Sequence, residues 1–194
     1  MNKTEKQVRE IIITAARSIF ARFGFRKTTV DEIAQAAHKA KSSIYHYFKG
    51  KEEIFQAVVE MESQVLEKEI TKAINQENTP RKKVRVYIIT RMKVLNRLAN
   101  FYNALKDEYF EHYGFIERLR LKYYKDEIKI MREILETGVD DGVFVIKDLE
   151  VTAFAIITAL KGLGYSWVLE NNVPKTEKNI DALLEILFNG IVRR

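Results

Sequence analysis

Apolar side chains recur at helical spacing near the start of the chain. Val8, Ile12, Ala15, Ala16, Ile19, Phe20 and Phe23 share one side, Arg9, Arg17 and Arg22 lie elsewhere, and Gly24 is placed to end the helix. A second stripe of Val30, Ile33, Ala34 and Ala37 opens at Thr29, with Glu32 three residues on. In that spacing the Thr and Glu side chains each satisfy an orphan backbone donor and fix the helix start. So short a helix is stable in water only when packed, and the preceding apolar stripe is its partner. His38, Lys39 and Ala40 then make a turn, and Lys41 to Phe48 a further short helix whose Ile44 and Phe48 sit four apart and face inward. That leaves Lys41, Ser42, Ser43, Tyr45, His46 and Tyr47 pointing outward.

Beyond residue 50 the periodicity predicts long helices at about 51 to 76, 81 to 99, 115 to 137, 148 to 170 and 176 to 192, and a shorter one near 101 to 111. Pro80 and Pro174 read as punctuation between helices, and Gly138 with Asp140-Asp141-Gly142 as a further turn. The expected class is all-α: a three-helix domain over 1–50 and a larger helical domain over 51–194. Residues 151 to 169 are apolar nearly all round and need cover on more than one side. Ala155, Ala159 and Gly162 form a row of small residues that lets another helix approach, and the final helix offers Ile180, Leu183, Leu184, Leu187, Phe188 and Ile191. These two helices from each of two subunits are expected to form a four-helix homodimer interface.

Two short helices and a tight turn are a DNA-reading device. In a helix-turn-helix the second helix enters the major groove with its N-terminal residues on the base edges, which places Lys41 and Ser43 there. Charge supports this. Residues 1 to 51 hold 11 Lys and Arg against 4 Asp and Glu, whereas residues 52 to 194 hold 22 against 23. A basic excess confined to one segment is the electrostatic footprint of a nucleic-acid module.

The run KSSIYHYFKGKEEI, residues 41 to 54, resembles the signature of the TetR family of bacterial transcriptional regulators, and it follows a matching first helix at the right distance. The resemblance rests on about residues 8 to 56 and implies a TetR-like fold acting as a homodimer on double-stranded DNA with a palindromic operator. Carried across by position, it implies that Thr28 and Thr29 hold a phosphate, that Lys41, Ser43 and Tyr45 approach bases or the groove wall, and that His46, Tyr47 and Lys51 contact phosphates. Where the family usually carries Gly, an apolar residue and Ser or Thr in the turn, this chain has His38, Lys39 and Ala40. His38 is expected at positive φ, and Ala40 removes a side-chain cap from the reading helix. Ser42 puts a hydroxyl where the family often has Gly.

Between the two ends lies the stretch 101 to 124, which holds 8 of the chain's 21 aromatic residues. Apolar side chains with a few polar tips line small-molecule pockets, and the resemblance implies an effector pocket in this middle region. Met92, Phe110, Tyr113, Tyr124 and Trp167 are the candidate ligand contacts for a small lipophilic or aromatic effector of unknown identity. Asp107 and Glu108 could meet a cationic ligand, and Arg91, Arg118 or Lys122 a carboxylate. The resemblance further implies a repressor that leaves its operator when the effector moves the helix after the DNA head.

Composition excludes competing classes. The three histidines are His38, His46 and His112, Cys is absent, and no metal-spaced cluster or nucleophile elbow occurs, so no catalytic residue, metal or cofactor is expected. No signal peptide or spanning run is visible, which points to a cytoplasmic protein with no membrane partner. The alternative reading is a DNA-bound adaptor or architectural protein without an effector, or an activator.

Overall fold

The computed structural model describes residues 3–106, 113–170 and 173–189, and of 3, 102, 105, 106, 161–170 and 173–176 the backbone alone. The described chain is helical without a strand: α1 (Lys3–Lys27), α2 (Val30–Ala36), α3 (Lys41–Tyr47), α4 (Lys51–Asn75), α5 (Pro80–Arg97), α6 (Ala99–Lys106), α7 (Gly114–Asp140), α8 (Leu149–Glu170) and α9 (Val173–Asn189). Both prolines stand in the first turn of a helix rather than between helices. There the missing N–H is one that no intrahelical bond would use.

Packing divides the chain into two compact units, Met1–Val65 with Leu98–Arg118, and Leu66–Arg97 with Leu119–Arg194. In the first unit the first part of α4 and the α6 segment group with α1 to α3.

In the first unit α1 packs on α2 and on α6, and α2 on α3. Ile12, Ala16, Phe20, Ile33, Ile44 and Phe48 fill the space between them, each at most 1% exposed. Phe23, expected inside, is 47% exposed, with the Arg22 guanidinium 5.1 Å from its ring centroid. The cause is Gly24, whose φ of 77° and ψ of 161° break the helical path inside α1 instead of ending it. After that break Phe25 enters the core, its ring 5.9 Å from Phe20 and 4.9 Å from Phe55. A single buried carboxylate ties three helices of this unit. Glu62 of α4 accepts from Arg17 Nε of α1 at 2.9 Å, from Asn100 Nδ2 at 3.0 Å and from the backbone N–H of Phe101 at 2.8 Å, the last two in the first turn of α6.

In the second unit α5 packs on α8 and α9. Arg85 grips Asp181 with two parallel bonds of 2.5 and 2.9 Å, and Lys93 pairs with Glu177 at 2.5 Å. Gly138 lies inside α7, and its carbonyl accepts the N–H groups of both Val143 and Phe144 at 2.8 and 2.9 Å. Of the helix faces assigned to a dimer, Ala155, Ala159, Leu183 and Leu187 are exposed, as are Val151, Phe154 and Ile186. Leu184 corrects that assignment: it is 6% exposed and belongs, with Ile180, to the core of its own unit. An amphipathic helix has two apolar edges here, and α5 covers one of them. Phe188 is half-buried and stacks on Phe144 with ring centroids 5.5 Å apart. Ile191 lies outside the described residues, and of Gly162 only the backbone is described.

Candidate nucleic-acid interface

The start of α2 is built as its sequence dictates. Thr29 Oγ1 accepts the N–H of Glu32 at 3.3 Å and donates to Glu32 Oε2 at 2.9 Å, while the N–H of Thr29 donates to the same carboxylate oxygen at 2.7 Å. The turn closes on α2's own carbonyls, with the N–H of His38 on Gln35 at 3.1 Å and that of Lys39 on Ala34 at 2.9 Å. His38 takes φ 51°, the left-handed conformation expected of it. Ala40 precedes α3 in extended conformation without a side-chain cap, so the first turn of the reading helix keeps unsatisfied backbone donors for solvent or an anion.

Ile44 and Phe48 seat α3 on the core, at 0% and 1% exposure. The opposite face presents Lys41, Ser42, Tyr45 and His46 to solvent, with Ser43 and Tyr47 half-buried beside them. The His46 ring meets that of Tyr47 edge-on at 4.9 Å. Lys41 Nζ donates to Asp31 Oδ2 of α2 at 2.8 Å, and this hydrogen bond to the carboxylate raises the Lys41 pKa. Sequence reasoning passed over Asp31, which carries no motif of its own; the ten-residue spacing to Lys41 spans the turn and becomes a contact only once α2 and α3 pack.

Besides Lys41, three of the candidate DNA residues have their side chains engaged within the chain. Thr28 is 1% exposed and its hydroxyl donates to the carbonyl of Gly24 at 2.8 Å, so it holds the break in α1 and turns no side chain outward. The Thr29 hydroxyl is occupied by the cap just described. Lys51 Nζ donates to the carbonyls of Phe25 at 3.0 Å and Arg26 at 3.4 Å and lies 4.5 Å from the Phe25 ring centroid, which locks the start of α4 onto the end of α1. The outward groups are therefore concentrated on α3.

The candidate effector residues are not assembled into one described cavity. Met92 of α5 is buried, and Tyr124 of α7 shares a 3.0 Å hydrogen bond with Thr158 and meets the Phe154 ring edge-on at 6.0 Å. Tyr113 belongs to the first unit, its ring 5.9 Å from Phe25. Phe110, Asp107 and Glu108 lie outside the described residues, and of Trp167 only the backbone is described. Two described clefts in the second unit, about 650 Å³ beside Phe144 and Phe188 and about 210 Å³ between Ile74 and Ile134, include neither Met92 nor Tyr124.

What the core of this unit does hold is a polar cluster. Arg91 and Glu127 form a buried two-point ion pair, and the Tyr87 hydroxyl donates to Glu127 Oε1 at 2.9 Å. Burial and the neighbouring Glu127 charge push the Tyr87 phenol well above its ordinary range, and burial does the same to Tyr123. Against the same burial, the Glu127 carboxylate keeps Arg91 charged. Arg91 was readable as a possible carboxylate partner; its partner turns out to be the chain's own Glu127.

Among the described residues no group of acidic, His or Cys side chains could hold a metal, and no described helix is long and apolar enough to cross a membrane.

Residues 12–58 match the family model described as bacterial regulatory proteins, tetR family. The chain is 26% identical over 188 residues to the HTH-type transcriptional regulator YhgD of Bacillus subtilis, covering 92% of this chain and 93% of that protein. It is 23% identical over 190 residues to the HTH-type transcriptional regulator QacR of Staphylococcus aureus, with 95% and 98% covered. Its fold superposes with a TM-score of 0.73 on the transcriptional regulator FadR of Bacillus subtilis, solved with stearoyl-CoA, at 23% identity over 94% of this chain and 99% of that one.

Proposed function

The chain belongs to the TetR family of bacterial transcriptional regulators, and we propose that it is a homodimeric repressor released from a palindromic operator by a small lipophilic effector. The observation that carries the DNA-reading part is the exposed row Lys41, Ser42, Tyr45 and His46 on a helix whose other face is fully buried. Such a helix is rigidly seated and offers donors and a ring to a groove. Residues 1–50 act as the reading head, and 51–194 as the part that senses and dimerises.

Dimerisation is supported by the exposed apolar side chains of α8 and α9, among them Phe154, Leu183, Ile186 and Leu187, each at least 42% exposed. So many large apolar groups on two helices mark an interaction surface. A two-fold symmetric dimer matches the two half-sites of an inverted repeat.

A lipophilic effector is supported by the apolar side chains along the larger cleft of the second unit, among them Leu135, Phe144, Ile156 and Phe188, and by the stearoyl-CoA held by the FadR relative. The release mechanism is a shift between two arrangements of α4, and the effector works only through its different affinity for the two. The bonds of Glu62 to α1 and to the first turn of α6 give α4 a rigid connection to both helices within the first unit. A panel of lipophilic compounds tests this reading. A true effector raises the Tm by mass action and weakens binding to the operator fragment; equal DNA affinity with and without every stabilising compound would contradict it.

A further inference from the structure

The reading head contains an ion pair that its fold does not need. Lys41 Nζ and Asp31 Oδ2 lie 2.8 Å apart with side chains 52% and 65% exposed, and exposed pairs add little to stability. Its position is more telling than its strength. Lys41 is the first residue of α3, where the helix dipole disfavours a cation and where Ala40 gives no side-chain cap. The other carboxylate in the first turn of α2, Glu32, is engaged at Thr29, whereas Asp31 reaches across the turn to the residue best placed to meet a base edge.

We propose that Asp31 is a specificity-determining residue of this regulator, an internal acceptor that holds Lys41 until a base edge replaces it; this rests on the DNA-reading function proposed above. A phosphate on random DNA offers Lys41 the same kind of partner that Asp31 already supplies, and the Asp31 carboxylate repels that phosphate. Binding to random sequence therefore gains nothing from Lys41. At the operator an acceptor pair such as guanine O6 and N7 meets the ammonium directly. Lys41 has three N–H donors, so it can bond the base while Asp31 still orients it. The carboxylate thus weakens random binding more than operator binding and widens the ratio between them.

The test is a double-mutant cycle of Asp31→Asn and Lys41→Ala, both at exposed positions, with binding to an operator duplex selected from genomic DNA by the parent protein and to a random duplex measured across salt concentration. Asp31→Asn is expected to tighten random-duplex binding several-fold and to steepen its log–log salt dependence by about 0.9, the increment for one more neutralised phosphate. Operator binding should change less, so the specificity ratio falls. With Lys41 already replaced by Ala, the Asp31→Asn effect should shrink to the small part that comes from removing one negative charge near the phosphates. An unchanged ratio, or an Asp31→Asn effect of equal size without Lys41, would overturn the proposal and reduce Asp31 to a general surface charge. Weaker operator binding with no gain on random DNA would overturn it too. Failure of the parent protein to bind any duplex would be seen before any variant is compared, and would remove the DNA-reading function and this proposal together.

Discussion

A methyl group at position 138 would sit 2.1 Å from Cδ2 of the Phe144 ring. Gly138→Ala is therefore expected to lower the unfolding free energy by about 1–3 kcal/mol, the usual cost of overpacking, as read by urea titration. The buried Arg91–Glu127 pair makes a second expectation. Arg91→Met alone leaves an uncompensated buried carboxylate and should cost about 3–5 kcal/mol, while Arg91→Met with Glu127→Leu should recover most of it. Tyr87 links this cluster to pH. Its phenol pKa is raised by burial and by Glu127 above the ordinary 10.0, so above about pH 10 the unfolded chain releases a proton that the folded chain keeps. Stability then falls as pH rises, and Tyr87→Phe should flatten that fall in alkaline urea titrations. Residue roles were legible in the sequence where a short-range pattern sets them. The Thr29–Glu32 cap and the inward Ile44 and Phe48 follow from spacing alone. Thr28, Lys51 and Phe23 were not legible, because each depends on the break at Gly24, a φ and ψ choice that no periodicity reports.

Helices α8 and α9 each have two apolar edges, and only packing shows which edge is spent inside the unit. Ile180 and Leu184 go inward, whereas Leu183, Ile186 and Leu187 remain exposed. Composition could place these helices at an interface but could not sort the leucines, since Leu183 and Leu184 are neighbours in sequence. Leu183→Glu with Leu187→Glu should yield a folded monomer by sedimentation velocity with an unchanged helical circular dichroism spectrum; a persistent dimer would exclude this face. The element boundaries were more readable than their partners. Helix α4 starts at Lys51 and ends at Asn75, within a residue of the apolar pattern. Its joint to α1 and α6 through Glu62 was invisible, because a lone Glu within a charged amphipathic helix looks like surface until its donors are located.

At the scale of the molecule the basic excess of residues 1 to 51, 11 Lys and Arg against 4 Asp and Glu, coincides with the helix-turn-helix, and the near-neutral remainder with the helices that would sense and dimerise. Segregation of this kind steers one part of a protein to nucleic acid without making the rest adhesive. It also predicts that affinity for any duplex falls steeply with salt, measurable by titration at several ionic strengths. The most direct measurement is selection of sheared genomic DNA by the purified protein at near-physiological salt, with sequencing of what is retained. A sharp inverted repeat with half-sites about one helical turn apart, upstream of one or a few genes, is the expected result. Uniform recovery of all sequences would contradict a dimeric, sequence-specific regulator.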